Sequence, residues 1–518
     1  MGTGGLLRQL SKRWISGLYI WVAILYFDTL THEFSYDDFQ VVVKNTAIRD
    51  LRNMGALFSP QSYFPVSGEM SYRPMVTFFY LFESALFGVK PVGFHATSVF
   101  LHGTCGVLLA WILMRLGMEN FCSVWAAALF LAHPAATEAV NGIGFLEDVL
   151  ALFFMLLSLA IGLARTDGRA WQIAVASLSY FLALLSKEVA ILFPVIGGLI
   201  LKKAGWDSRA LRHLAGGMGA VMVLYGCLRF IVFLPPEGKA LASSTLSMSE
   251  TALTMATVAA NYIRLFLVPI GLSASHVVVV EEKLRWESGL ALIGLGCAAW
   301  LVIKSSISAI RLGGLWCLLF LLPVSQIVAT AQLSAERFLY APLAGVAIAA
   351  AGAVSLARTP LWSRGIPCTV LAVLALLAVD RNKVWRTHDS LFEDAVVQTP
   401  RNPFAIYSLG VSAADRREHG LAELYFRTAL EIKPDYDACS AHLASVLYDA
   451  GRYPEAIELL TNLLDRKPWD GNARMRIAWS YARLGDTETA RRHLERARSG
   501  ARLTPAERAA LRELEENL

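Results

Sequence analysis

From residue 14 to about residue 380 the chain alternates apolar runs with short polar connectors. The runs fall near 14–30, 75–87, 94–116, 121–140, 149–164, 171–185, 189–201, 214–234, 252–270, 290–303, 315–331, 338–356 and 366–379. Most are long enough for a helix that crosses the apolar part of a bilayer. The pattern predicts an all-α fold, a polytopic membrane helix bundle of about 11–13 spans. The run 75–87 is short and 252–270 suits the interface, which sets that range; Pro194 kinks the run that contains it. A polar loop, 33–74, separates the first two runs and holds Asp37, Asp38, Gly55, Pro60 and Pro65, too broken to lie in lipid. Beyond about residue 380 the charges become dense and mixed in sign. The expected division is a membrane domain, 1–380, and a soluble tail, 381–518.

The tail repeats with a period of 34 residues. Pro400, Pro434 and Pro468 keep it, as do Ala422, Ala456 and Ala490, Gly451 and Gly485, and the large apolar series Phe392, Phe426, Leu460 and Leu494. Each unit reads as two amphipathic helices, with a small residue where they cross and a proline closing the second. Leu409-Gly410 followed by Ala422, Phe426, Ala429 and Pro434 resembles the tetratricopeptide repeat. The expected units are a half-repeat at about 385–400, repeats at 403–436, 437–470 and 471–504, and a capping helix at 505–518. Such an α-solenoid docks peptides or proteins; it is not an active site.

Composition supports the division. Hydrophobic residues make up 55% of 518 and charged residues 17%, too apolar for a soluble chain of this length. The net charge of +5 follows from Lys and Arg placed between runs and in the tail, which topology explains better than a nucleic-acid partner. The connector 202–212, with Lys202, Lys203, Arg209 and Arg212, is the most basic in the body and is expected to be cytoplasmic. Arg8, Lys12 and Arg13 place the N-terminus on the same side, ahead of an uncleaved first helix. The acidic loop and the tail are then extracytoplasmic. The seven cysteines form no disulfide or zinc spacing, and no glycine-rich phosphate loop or nucleophile elbow occurs.

Ionisable residues within or beside apolar runs are costly, so they pair, face water or act. Here they are Arg73, Glu83, His95, His102, His133, Glu138, Glu147, Asp148, Lys187, Glu188, Arg229, Arg264, Glu336 and Arg337. On the expected topology most of them fall on the face that carries Asp37 and Asp38. Carboxylates there can activate a hydroxyl acceptor or hold a divalent cation, while Lys and Arg neutralise phosphate charge on a leaving group. His102 and His133 lie inside helices, where an interhelical hydrogen bond accounts for them as well as chemistry does.

Tyr36-Asp37-Asp38 after the first span resembles the first-loop acidic motif of the C superfamily (GT-C) of membrane glycosyltransferases. Together with Ser71-Tyr72-Arg73-Pro74, Gly93-Phe94-His95, Leu101-His102, Ala132-His133-Pro134, Thr137-Glu138-Ala139-Val140, Ser186-Lys187-Glu188 and Glu336-Arg337-Phe338-Leu339-Tyr340 with Pro342, it is similar to the transmembrane and tetratricopeptide-repeat O-mannosyltransferases and their bacterial relatives. The resemblance implies transfer of a sugar, mannose in that family, from a polyprenyl-phosphate donor to a hydroxyl acceptor on protein. It places the enzyme in a bacterial inner membrane or, in a eukaryote, the endoplasmic reticulum.

Residue by residue, the resemblance implies Asp37 or Asp38 as catalytic base, with Asp37 preferred, and catalytic roles for Glu138 and Asp148. It gives the donor phosphate to Arg73, Lys187 and Arg337, and substrate contacts to Tyr72, His95, His102, Glu147 and Glu188. Glu147 and Asp148 are the candidate ligands if a divalent cation (Mg or Mn) takes part. The sequence departs from the family at Phe145-Leu146-Glu147-Asp148, where a Gly-Arg-Ala-Asp-like stretch is expected; the Arg is missing and Asp148 is the more secure match. The other class of function left open is a non-catalytic scaffold or transporter whose repeats recruit partner proteins. Asp37 discriminates the two, because a scaffold has no use for it.

Overall fold

The computed structural model describes residues 3–68, 71–165, 167–234, 246–281, 283–327 and 332–500, with side chains from residue 13 to 498. The expected capping helix at 505–518 lies outside the described residues. These form α-helices joined by 3-10 and π turns, with no strand among them. The chain divides into two units: residues 1–274 with 278–388, and Ser275–Val277 with Asp389–Leu518.

The first unit begins with α1 (Thr3–Leu25), a loop of 3-10 and π turns, α2 (Pro60–Ser67) and α3 (Pro74–Phe87). It continues through α4 (Pro91–Arg115), α5 (Asn120–Ala132), the short α6 (Thr137–Asn141), α7 (Leu146–Ala164), α8 (Ala170–Ser186) and α9 (Phe193–Lys203). Then come α10 (Ser208–Cys227), α11 (Met248–Leu267), α12 (Trp286–Lys304), α13 (Ser308–Leu321), α14 (Tyr340–Val354) and α15 (Ile366–Val384). Among the described residues six helical stretches are long and apolar enough to cross a membrane, namely Pro91–Arg115, Ile143–Ala164, Ser208–Val232, Trp286–Lys304, Glu336–Val354 and Leu361–Val384. Several other apolar runs of the sequence fall short because a turn cuts them. Pro134 opens a 3-10 turn directly after α5, and Glu188–Leu192 form another before α9.

Contacts fix how these helices run. Tyr19 Oη meets Thr104 Oγ1 at 2.9 Å, and the His32 ring lies 5.8 Å from His95, so α4 runs antiparallel to α1 and starts at the end of the bundle where α1 finishes. The run 75–87 does not cross. Arg73, at its start, binds Glu147 and Glu188, while Phe87 at its end packs on Gly93, where an added Cβ would lie 2.4 Å from the ring. Both ends of α3 therefore sit at that same end of the bundle. The reason is length: 14 residues at 1.5 Å each span about 21 Å, short of a bilayer core of about 30 Å. Deeper in the bundle α13 and α14 approach backbone to backbone. A Cβ on Gly313 would lie 2.4 Å from the Gly345 carbonyl oxygen, and a Cβ on Gly345 would lie 2.4 Å from that of Gly313. Small residues permit such packing where apolar attraction between helices is lost to lipid.

The second unit carries α16 (His388–Gln398), α17 (Pro403–Asp415), α18 (His419–Ile432), α19 (Asp437–Asp449), α20 (Tyr453–Arg466), α21 (Gly471–Arg483) and α22 (Thr487–Gly500). The period seen in the sequence is the period of burial. Ala422, Ala456 and Ala490 are fully buried at the helix crossings, with Phe392, Phe426, Leu460 and Leu494 behind them. Pro400, Pro434 and Pro468 each follow two residues after a helix ends. A further column emerges in the turn between paired helices: Arg417, Gly451 and Gly485 have φ of 63°, 76° and 83°. Only the first repeat lacks glycine there. A side chain in this left-handed region costs about 1–2 kcal/mol, partly offset by the greater chain entropy of glycine. Arg417→Gly is therefore expected to stabilise the repeat unit by about 1 kcal/mol, read as a raised urea midpoint with an unchanged m value.

Candidate active site

The carboxylates and cations expected from the sequence meet at the end of the bundle where α1 finishes and α7 begins. The acidic stretch is positioned by its backbone and by Asp38. Asp38 is 1% exposed; its Oδ2 accepts the Ser35 N–H at 3.0 Å and its Oδ1 accepts the Gly144 N–H at 2.7 Å. Gly144 allows this approach, since a Cβ there would lie 2.9 Å from Asp37 Cβ. Burial pushes the Asp38 carboxyl up to about 7, against the pull of those N–H groups. Tyr36, just before, adopts φ 52°, a strained position for an aromatic residue, and its N–H donates to His388 Nδ1 at 3.3 Å. The consequence is a division of labour. Asp38 faces inward and staples the loop, whereas Asp37 keeps an exposed side chain.

Arg337, Glu138 and Glu147 act on Asp37, and three cations stand in the cluster, each held by acidic partners. Arg337 is 8% exposed; its guanidinium binds Glu138 and Gln332 and stacks 4.0 Å over the Phe145 ring, and its backbone N–H donates to Glu138 Oε2 at 3.0 Å. Lys187 Nζ lies 2.5 Å from Asp148 Oδ2 and 3.7 Å from Glu147 Oε1. Arg73 Nη1 binds Glu147 Oε1 at 3.1 Å, and its Nη2 binds Glu188 Oε1 at 3.1 Å. Tyr63 sets Arg73 in place: its hydroxyl donates to the Ser71 carbonyl at 3.3 Å and accepts the Arg73 N–H at 2.7 Å. Although Asp37 is exposed, desolvation by the protein packed around it raises its carboxyl above the usual range and the Glu147 and Glu138 charges add to that, while Arg337 pulls it down. Burial acts to raise Glu188 too, but Arg73 and Arg229 outweigh it and hold that carboxyl well below the usual range.

The structure thus brings together Asp37, Asp38, Arg73, Glu138, Glu147, Asp148, Lys187, Glu188 and Arg337. It places the other expected residues elsewhere. Tyr72 is buried between Tyr63 and Phe233, stacked 3.8 Å from the latter, with its hydroxyl donating to the Leu57 carbonyl at 3.2 Å. His102 is fully buried, with Nδ1 2.8 Å from Tyr340 Oη and Nε2 3.3 Å from the Leu131 carbonyl, so it ties α4 to α5 and α14. His95 is 1% exposed and packs on His32. Glu138 is fully buried and already engaged by Arg337 through side chain and backbone, which suits a positioning role. The Glu147 and Asp148 pair is a poor fit for a divalent cation, since the Lys187 ammonium lies where such an ion would bind both. Among the described residues no group of three or more His, Cys, Asp or Glu gathers as metal ligands would.

Gln332, Phe145 and His388 also contribute; Phe145 stood in the acidic stretch without an assigned role, and nothing in the sequence context of Gln332 and His388 announced them. Arg229 stood among the costly charges but carried no assignment; here its Nη2 lies 3.6 Å from Glu188 Oε1.

Residues 447–514 match the family model described as tetratricopeptide repeat. Protein O-mannosyl-transferase TMTC4 of Mus musculus is 26% identical over 468 residues, which cover 76% of this chain and 63% of the relative. Protein O-mannosyl-transferase F38B6.6 of Caenorhabditis elegans is 24% identical over 444 residues, covering 80% of this chain and 62% of the relative. The chain spans a little under two thirds of the length of these curated relatives. Among solved structures, the Archaeoglobus fulgidus oligosaccharyltransferase is 13% identical, with a TM-score of 0.37 over 79% of this chain and 59% of that one, a distance at which the likeness adds nothing to the site. In sequence, across three quarters or more of its length, the chain resembles the transmembrane and tetratricopeptide-repeat protein O-mannosyl-transferases.

Proposed function

We propose that the protein is a membrane glycosyltransferase that moves a sugar from a polyprenyl-phosphate donor to a hydroxyl group on protein, at the extracytoplasmic face. The observation that carries this reading is one exposed carboxylate, Asp37, under the influence of Arg337 and of Glu147, in a cluster where Arg73 and Lys187 share Glu147 and the cations are balanced by Glu138, Glu147, Asp148 and Glu188. Mannose is the sugar named in the relatives and the first to test.

Asp37 removes the proton of the acceptor hydroxyl as its oxygen attacks the anomeric carbon. The bond from that carbon to the phosphate oxygen breaks, and the phosphate leaves with the electron pair. Arg73, Lys187 and Arg337 stabilise the charge that grows there, most of all in a site that excludes water. The proton ends on Asp37, the new glycosidic bond on the acceptor, and the configuration inverts in one displacement. The repeats offer a surface for the protein acceptor or a partner. None of these steps is routed through a metal ion.

The test is transfer of labelled sugar by the full chain in nanodiscs, from a panel of polyprenyl-phosphate sugars to membrane and secreted protein. Label is expected on protein. If no donor in the panel is bound or consumed, the reading fails and a scaffold or transporter takes its place.

A further inference from the structure

Two arginines converge on a single glutamate oxygen at the edge of the cluster. Arg73 Nη2 lies 3.1 Å and Arg229 Nη2 3.6 Å from Glu188 Oε1, and Arg73 Nε reaches Glu188 Oε2 at 3.4 Å. The arginines are fixed from behind: Glu147 binds Arg73 at 3.1 Å, and Arg229 Nη2 donates to Ser71 Oγ at 3.4 Å. They come from different elements, Arg73 from the stretch before α3 and Arg229 from the π turn Leu228–Val232 after α10. Their side chains are 17% and 11% exposed, whereas that of Glu188 is 39% exposed on its 3-10 turn. The cations are held and the anion can leave.

We infer that Glu188 is a tethered stand-in for a phosphate monoester, and that Arg73 and Arg229 form the phosphate site once Glu188 swings into water. This rests on the glycosyltransferase reading and deepens it, since it names Arg229 as the second arm of the site that receives the polyprenyl phosphate once its bond to the sugar has broken. A carboxylate offers two oxygens to the two guanidiniums. A phosphate monoester offers three and more charge, so it wins the exchange, while Glu188 screens the arginines whenever no polyprenyl phosphate is bound. Carboxylates and unphosphorylated lipids compete poorly.

The experiment measures binding of a long-chain polyprenyl monophosphate, without sugar, to the full chain in zwitterionic nanodiscs. A competitor that fills the site most of the time lowers apparent affinity by the inverse of the open fraction, so Glu188→Gln and Glu188→Ala are each expected to bind about tenfold more tightly than wild type. Arg229→Gln is expected to bind at least about tenfold more weakly, with Arg229→Lys recovering part of the loss. Inorganic phosphate at millimolar concentration should compete better against the Glu188 variants than against wild type. A stable Glu188→Gln protein with unchanged or weaker binding overturns the inference and leaves Glu188 a structural clasp. So does a polyprenol control that gains as much as the phosphate; phosphatidic acid, itself a phosphate monoester, is expected to gain in the same direction. If wild type and every variant fail to bind polyprenyl phosphate, the donor reading itself has failed.

Discussion

Asp37→Asn is expected to cut sugar transfer by about a thousandfold while leaving the protein folded. The change keeps shape and removes only the ability to take a proton. The bonds through which Asp37 shapes its loop are made by its carbonyl oxygen, which accepts the Gln40 and Val41 N–H groups at 3.0 and 3.1 Å, and these survive. Asp38→Asn is the control with a different signature. Both Asp38 oxygens accept backbone N–H groups, and an amide retains one acceptor, so that variant should lose stability along with activity. The pH profile separates the two further. A base works only when ionised, and desolvation by the surrounding protein raises the Asp37 carboxyl, so the wild-type rate should climb through a pH range above that of an ordinary carboxylate and then level off. The residual rate of Asp37→Asn should lack that acid limb. Initial rates with labelled donor and thermal unfolding in the same detergent decide it. More than a tenth of the wild-type rate in the folded Asp37→Asn protein would remove Asp37 as the base.

What the sequence disclosed depended on whether burial repeats along the chain. The 34-residue period of the tail is a period of helix crossings, so Ala422, Ala456, Ala490 and the prolines placed the helices directly. The long runs of the body gave helices for the same reason. The run 75–87 shows where this stops. Its composition is that of a span, yet Arg73 at one end is held by Glu147 and Glu188, distant in sequence, and Phe87 at the other packs on Gly93 at the start of α4. In the site, the charges were legible because ionisable groups in apolar sequence are expensive. Their partners were not. Nothing local says that Glu138 engages Arg337, that Arg229 shares Glu188 with Arg73, or that Phe145 lies under a guanidinium. Tyr36 at φ 52° is likewise invisible, because a tyrosine gives no hint of left-handed backbone. His102 and Tyr72 show another side of this: both sit in motifs of the resemblance, and the structure gives both packing partners that the motifs do not name.

The Glu138 to Arg337 pair separates positioning from chemistry. Glu138→Gln leaves the Arg337 guanidinium, 8% exposed and stacked on Phe145, without the carboxylate that balances it. Removing one partner of a buried ion pair costs about 3–5 kcal/mol, whereas replacing both with apolar residues of similar size is often neutral. Glu138→Gln is therefore expected to lower thermal stability markedly, and Glu138→Leu combined with Arg337→Met to restore most of it. Transfer should be lost in both, because Arg337 is absent in one and misplaced in the other. A reacting Glu138 behaves otherwise: its amide would abolish transfer with stability kept, as at Asp37. The comparison of the two amides assigns the roles. A stability loss confined to Glu138→Gln makes Asp37 the proton acceptor and Glu138 the group that aims Arg337; equal stability in both variants gives Glu138 a share of the chemistry.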